Sequence, residues 1–315
     1  MIIRKDFSNS GEKSAVCLTI GFFDGVHRGH KKIIKDVVEG ARLNNLQSCI
    51  VSFHCHPNEF FSGRPMKFLT SWEEKEEIFQ SLGVDLIQVF TFNSRFASLS
   101  PEQFLQKLSE IFYIHEILVG EGFNFGRRKE GNISFLYKKQ SKFGYRLRVI
   151  PYVKFKREKV SSSLLRRWLE EGKIQKVARG LGHYPTLMGK VTCGRGKGRE
   201  IGYPTANIES HPEKLLPPGG VYVGYVELGG KNHKALINIG ARPTFGDLTC
   251  GVEVHIINFN NQLYEKMLKV YLVEKIRDIV FFPSPAHLSQ QLERDKEKAE
   301  QILNSSGLLE KAIYQ

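Results

Sequence analysis

The sequence predicts an α/β protein in two parts, a doubly wound parallel sheet followed by an antiparallel β-barrel with a terminal helix. Three observations predict it. Through the first half, apolar runs alternate with stretches of helical periodicity, the order of a parallel sheet with crossover helices. In the second half, short strand-like runs follow one another between Gly- and Pro-rich turns. The length, 315 residues, suits two domains. The run Gly180-Leu181-Gly182-His183-Tyr184-Pro185 breaks the first pattern, which gives domains 1–182 and 183–315.

Residues 16–20, Val-Cys-Leu-Thr-Ile, are a mainly apolar run that reads as a buried strand, and 31–43 a helix with Ile33, Ile34, Val37, Val38 and Ala41 at helical spacing. A strand over 48–53 precedes a helix over 69–82, which carries a capping box from Ser71 to Glu74 and Gly83 past its end. After a strand at 84–92, Ser100 caps a helix with Pro101 at its first position and Phe104, Leu105, Leu108 and Ile111 as its stripe. Strands at 116–120 and 146–151 complete the sheet. Ser161, Ser162 and Ser163 then cap one short helix, and 168–178 form a second. The barrel strands are 221–228, 234–239, 251–259 and 268–276, with Gly229-Gly230 turning a hairpin. Ser284-Pro285 opens the closing helix.

Composition narrows the partners. A net charge of +13 suits polyanionic ligands, nucleotides or nucleic acid. No RNP, zinc-finger or helix-turn-helix signature accompanies it, so no nucleic-acid partner is expected. Five cysteines without a CxxC pair fit reduced thiols. No apolar stretch reaches transmembrane length and no secretory leader is visible, so the expectation is a cytoplasmic protein without membrane contact, and a monomer.

Three stretches carry chemistry. In 21–30, GFFDGVHRGH, a glycine-punctuated turn joins a strand to a helix. That order aims backbone N–H groups and a helix dipole at one spot, which suits a phosphate. His27 and His30, with Gly29 between them, can both face that anion if His30 opens the helix, and Gly29 lets a ligand approach the backbone. The second stretch is 189–208, where Gly194, Gly196, Gly198 and Gly202 alternate with Arg195, Lys197 and Arg199, then Thr205 and Asn207 follow. Glycines let amides wrap a phosphate, and two neutral oxygens two residues apart form a modest Mg²⁺ site. The third is 238–255, where Val252 and Val254 pack inward and Glu253 faces a cleft or solvent, a possible general base.

The pattern His27-Arg28-Gly29-His30 resembles the nucleotidyltransferase superfamily, whose members transfer a nucleotidyl group and release pyrophosphate. Taken with Phe53, His56-Pro57, residues 99–104, 119–126, Ser161-Ser162-Ser163 with Arg166, 189–208, Asn238-Ile239-Gly240, Arg242-Pro243-Thr244-Phe245, 252–255 and Leu263-Tyr264, the chain resembles the bacterial bifunctional riboflavin kinase/FAD synthetase family along nearly its whole length. The resemblance implies a Rossmann-like FMN adenylyltransferase domain at 1–182 and a riboflavin kinase barrel at 183–315. In the barrel, riboflavin is phosphorylated by ATP to FMN, with Glu253 as base, Thr205 and Asn207 on Mg²⁺, and Gly194, Gly196, Lys197, Gly198 and Arg199 on the ATP phosphates. In the first domain, FMN attacks the α-phosphate of a second ATP to give FAD and pyrophosphate. His27, His30 and Arg166 stabilise the transferred group there. Gly21, Phe22, Asp24, Gly29, Asn124, Ser162 and Ser163 bind ATP or FMN.

The chain departs from the family pattern at Gly122, where Asp or Asn is usual, at His54-Cys55-His56-Pro57, at Glu265 and at Ile279. Gly122 motivates the alternative of a riboflavin kinase with a degenerate adenylyltransferase half. A non-catalytic flavin- or RNA-binding regulator is a third reading.

Overall fold

The computed structural model describes residues 1–7, 13–155, 157–193, 198, 202–241 and 250–305. The chain forms two compact units: residues 1–66 with 75–161, and residues 67–74 with 162–315.

The first unit is built on strands β1 (Ile2–Lys5), β2 (Ser14–Ile20), β3 (Gln47–Phe53), β4 (Leu86–Phe90), β5 (Phe112–Gly120) and β8 (Arg146–Ile150). All pair in parallel, in the order β1-β4-β3-β2-β5-β8. Helix α1 (Arg28–Leu43) follows β2, and the short α2 (Pro57–Ser62) follows β3. Then come α3 (Trp72–Ser81), α4 (Ser94–Ala97), α5 (Pro101–Ile111) and α6 (Ile133–Phe143). Two small ribbons, β6 (Asn124–Phe125) with β7 (Gly131–Asn132) and β9 (Lys154–Phe155) with β10 (Glu158–Lys159), lie in the later connections.

Why the apolar run at 16–20 does not alternate is now clear, because both faces of β2 are covered. Val16, Leu18 and Ile20 pack with Phe104, Leu105 and Leu108 of α5, whereas Cys17 packs with Val37 and Ala41 of α1. Such double burial is the rule for parallel strands between helix layers. From β2 the chain winds outward through β3 and β4, then returns to β5 on the other side. The carboxyl ends of β2 and β5 therefore flank the crevice where the strand order reverses, the usual ligand position in open α/β sheets.

In the second unit, α7 (Ser162–Glu170) and α8 (Ile174–Leu181) precede strands β11 (Thr186–Thr192), β12 (Ala206–Ser210), β13 (Gly220–Leu228), β14 (Lys231–Ala241), β15 (Cys250–Ile256) and β16 (Met267–Arg277). They close a barrel in the order β11-β12-β15-β14-β13-β16, with every pair antiparallel. Gly229 and Gly230 make the expected two-residue hairpin, both at positive φ (56° and 74°). Helix α9 (Pro285–Ser305) lays Ala299 and Leu303 on Val221, Val223, Tyr225 and Leu236, covering one outer face.

The segment 67–74 is bound into this unit by a buried ion pair. The ammonium of Lys214 bonds Glu74 Oε2 and, at 2.6 Å, the carbonyl of Leu69. Glu74 also accepts from the amides of Ser71 at 3.0 Å and Met188 at 3.1 Å. With side-chain exposures of 3% and 1%, neither charge is solvated by water, and each is satisfied by the other and by backbone.

Several elements differ from the sequence reading: α2, α4, the two ribbons, β11 and β12 are additional, and the helix expected over 168–178 is instead the end of α7 and the separate α8. Helix α1 begins at Arg28, before His30. The four-residue edge strand β1 and helix α6, with Asn132 as its N-cap and Gly144 past its end, are additional.

Candidate functional site

In the first unit, the backbone leaving β2 turns sharply. Phe23 (φ 55°), Gly25 (78°) and Val26 (37°) all have positive φ. For a β-branched residue this is an outlier, and such strain collects at functional turns. The turn is packed: Phe23, Asp24 and Val26 are buried.

His27 is the N-cap of α1. Its Nδ1 accepts from the amide of His30 at 3.3 Å, so the ring proton sits on Nε2. Its ring stacks on that of His30, with centroids 3.6 Å apart and planes at 16°. Phe23 packs edge-on to His30 at 5.2 Å. Gly29 makes room for this stack, since a Cβ there would lie 3.1 Å from Cε1 of His27. The space the sequence left for a ligand beside Gly29 is thus taken by an imidazole. Both rings are neutral at pH 7. Burial, with a smaller contribution from Lys159, pulls the pKa of His27 down to about 4, despite an opposing backbone hydrogen bond. Burial, then His27 and Lys75, holds His30 well below its usual value. Nδ1 of His30 is buried with no hydrogen-bond partner among the described residues. An unmet buried nitrogen costs about 1–3 kcal/mol, and it marks a group reserved for something other than stability.

Lys75, which sequence reasoning missed, stands beside the pair. It is buried, donates to the carbonyl of Phe22 at 3.1 Å, and lies 3.5 Å from that ring's centroid. Phe22 meets His56 edge-on at 4.7 Å. Lys31, next to His30, has its pKa lowered to about 8 by burial first and then by Lys35 and Arg28. Asn124 opens the ribbon strand β6, and its Nδ2 donates to the carbonyl of Gly122 at 3.0 Å. Ser162, Ser163 and Arg166 are carried by α7 in the second unit, with Arg166 half-buried.

The barrel assembles the kinase candidates by register. Asn207 on β12 pairs with Glu253 on β15, and Glu253 pairs with Asn238 on β14. The three side chains therefore lie abreast on one face, within the ~5 Å of cross-strand neighbours. Ile237, Ile239, Val252 and Val254 point the other way and are buried, as alternation requires. His255 adds a group to which the sequence reading gave no role. Its Nδ1 lies 2.9 Å from the carbonyl of Pro204, to which it donates, and burial lowers its pKa. Tyr203, whose ring centroid is 5.2 Å from that of His255, donates its hydroxyl to Glu293 of α9. This fastens the segment that presents the exposed Thr205. Gly198 sits under it: the amide of Tyr203 donates to its carbonyl at 2.8 Å, and a Cβ there would be 2.3 Å from the carbonyl oxygen of Tyr203. Gly194, Gly196, Lys197 and Arg199 lie outside the described residues, as does the run 242–245.

Comparison with known proteins agrees with this two-part chemistry. The FAD synthetase family profile matches residues 9–164, and the riboflavin kinase profile matches residues 181–303. A bifunctional riboflavin kinase/FMN adenylyltransferase of Listeria monocytogenes is 31% identical over 283 residues, 89% of this chain and 90% of that protein. Its counterpart in Buchnera aphidicola is 34% identical over 292 residues, 91% of this chain and 94% of that protein. A Streptococcus pneumoniae crystal structure described as a macrolide-efflux protein superposes with a TM-score of 0.85 at 28% identity, covering 95% of this chain and 98% of that one. Among the described residues of this chain, no helix is long and apolar enough to cross a membrane. By profile and by relatives alike, the chain belongs to the bifunctional riboflavin kinase/FMN adenylyltransferase family.

Proposed function

We propose that the chain makes FAD from riboflavin in two ATP-dependent steps, one served by each half, with the functional division at 1–182 and 183–315. The observation that carries the reading is the pair of constellations. A neutral imidazole stack opens a helix at the sheet's switch point, and a carboxylate stands abreast of two amides on the barrel.

In the barrel, the riboflavin 5′-hydroxyl attacks the γ-phosphate of ATP. Glu253 takes the hydroxyl proton, and ADP leaves. Thr205 and Asn207 offer an exposed hydroxyl and an amide oxygen, a neutral hard-oxygen set that fits Mg²⁺. Held there, Mg²⁺ would neutralise phosphate charge. Gly198 and Tyr203 fix the backbone leading into these ligands. Gly194, Gly196, Lys197 and Arg199 complete the phosphate loop.

In the first half, a phosphate oxygen of FMN attacks the α-phosphate of ATP and pyrophosphate leaves. The nucleophile is already ionised, so no base is needed. His27 and His30, being neutral, act as hydrogen-bond donors to the anionic oxygens at the positive end of α1. Arg166, Ser162 and Ser163 supply a cation and hydroxyls, while Gly21, Phe22, Asp24, Gly29 and Asn124 shape the ATP and FMN pocket. We place the protein in the cytoplasm as a monomer without nucleic-acid or membrane partners.

The test is direct. Purified protein with riboflavin, ATP and Mg²⁺ is expected to yield FMN and then FAD. FMN without FAD would leave a kinase alone.

A further inference from the structure

Residue 122 lies in the turn leaving the carboxyl end of β5, beside the strand that leads to His27. It has no side chain, yet its space is filled. A Cβ there would lie 2.1 Å from Oη of Tyr152 and 3.2 Å from Cζ. Two contacts hold the tyrosine in place. Its amide donates to Oε2 of Glu121 at 3.1 Å, and the ammonium of Lys159 sits 3.2 Å from its ring centroid. The residue is 38% exposed, and its hydroxyl has no hydrogen-bond partner among the described residues. An O–H donor therefore projects where residue 122 offers none.

The surroundings favour an anion. Lys159 also acts on His27, lowering its pKa by charge, so one ammonium serves both the tyrosine and the histidine stack. The N-terminus of α1 adds its partial positive charge at the neighbouring strand end. A hydroxyl beside a cation and a helix N-terminus suits an ionised oxygen acceptor.

We propose that the Tyr152 hydroxyl, standing in the space a side chain at position 122 would fill, donates a hydrogen bond to a phosphate oxygen of the substrate held at the carboxyl ends of β2 and β5. The inference rests on the adenylyl-transfer reading of this half. ATP and FMN both present such an oxygen. Gly122 and Tyr152 are then a matched pair, because a side chain at 122 expels the phenol and removal of the hydroxyl leaves the oxygen unmatched.

The experiment uses the full chain, with FAD formation from supplied FMN and ATP as the readout and riboflavin phosphorylation in the same preparation as the folding control. Tyr152→Phe keeps the ring and its Lys159 contact and loses only the hydroxyl. It is expected to lower kcat/KM for FAD formation roughly ten- to hundredfold, the cost of one hydrogen bond to a charged group, with FMN formation unchanged. A rise in KM for ATP alone assigns the contact to ATP, and a rise for FMN alone assigns it to FMN. Gly122→Asn is expected to lose at least as much, and Gly122→Asn combined with Tyr152→Ala to make FAD faster than Tyr152→Ala alone, which relief of crowding would not do. FAD formation within twofold of wild type in Tyr152→Phe overturns this proposal and leaves the adenylyl-transfer reading standing. A double variant no faster than Tyr152→Ala alone overturns the matching of the two positions. A wild-type chain that makes FMN but no FAD overturns the adenylyl-transfer reading, and this proposal with it.

Discussion

His27 commits its Nδ1 lone pair to the amide of His30, and this makes the fold sensitive to acid. Unfolded, the imidazole takes a proton near its usual 6.5, but folded it does so only at about 4. Between those values the unfolded chain binds more protons, so stability is full above pH 6.5 and is lost as pH falls toward 4. The shift is worth about 3 kcal/mol. His27→Asn keeps a capping oxygen but does not titrate. Urea unfolding of the first unit at pH 7.5 and pH 4 is expected to show the wild type losing about 3 kcal/mol more than this variant. At the other site, Glu253→Gln removes the base and keeps the shape. FMN formation is expected to fall about 10²–10⁴-fold, the usual range for a general base, while FAD formation from supplied FMN is unchanged. The histidines and Glu253 were legible because local patterns announce them: a strand-turn-helix order and a strand's alternation. Lys75 and Tyr152 were not. Lys75 reaches Phe22 across 53 positions, and Tyr152 meets Gly122 from 30 residues away, separations at which no periodicity operates.

Among the elements, the best-predicted were those with explicit ends. Ser100 caps α5 through a complete box: its hydroxyl accepts from the Gln103 amide at 3.2 Å, and its own amide donates to Gln103 Oε1 at 2.8 Å. Ser100→Ala is expected to destabilise the first unit by about 1 kcal/mol in denaturant unfolding, with FMN formation unchanged. Strand β1 escaped notice because it has four residues and an exposed edge, and only its pairing with Leu86–Val89 makes it a strand. The barrel strands β11 and β12 were hidden for a different reason. Their residues read first as a glycine-rich loop and a ligand motif, and Lys190–Thr192 pairs with Asn207–Glu209 only after the intervening loop closes.

At the level of the whole chain, the sequence pattern changes near residue 182, whereas the compact units divide between 161 and 162 and the second takes in 67–74, which no local pattern announces. That membership rests on a backbone bridge, in which Phe68 donates to Glu213 and accepts from Leu215, and on the buried pair of Glu74 with Lys214. Removing one partner of such a pair strands the other charge, at about 3–5 kcal/mol. Lys214→Met is therefore expected to lower the thermal midpoint of the second unit. A fragment of residues 183–315, which lacks Glu74, is expected to melt lower than the same barrel in the full chain, as followed by circular dichroism.

The same pair sets a schedule for synthesis. Glu74 leaves the ribosome 140 residues before Lys214. At ~5–20 residues per second, that is a wait of roughly 7–28 s. During it, the first sheet has β1 to β5 and β8 at hand and is able to form, while the neighbouring stretch 67–74 remains a loose end with no cation to meet. The nascent chain is thus most vulnerable to proteolysis or mispairing at an internal segment rather than at its growing tip, and the barrel that finishes last also anchors a piece of what was made first.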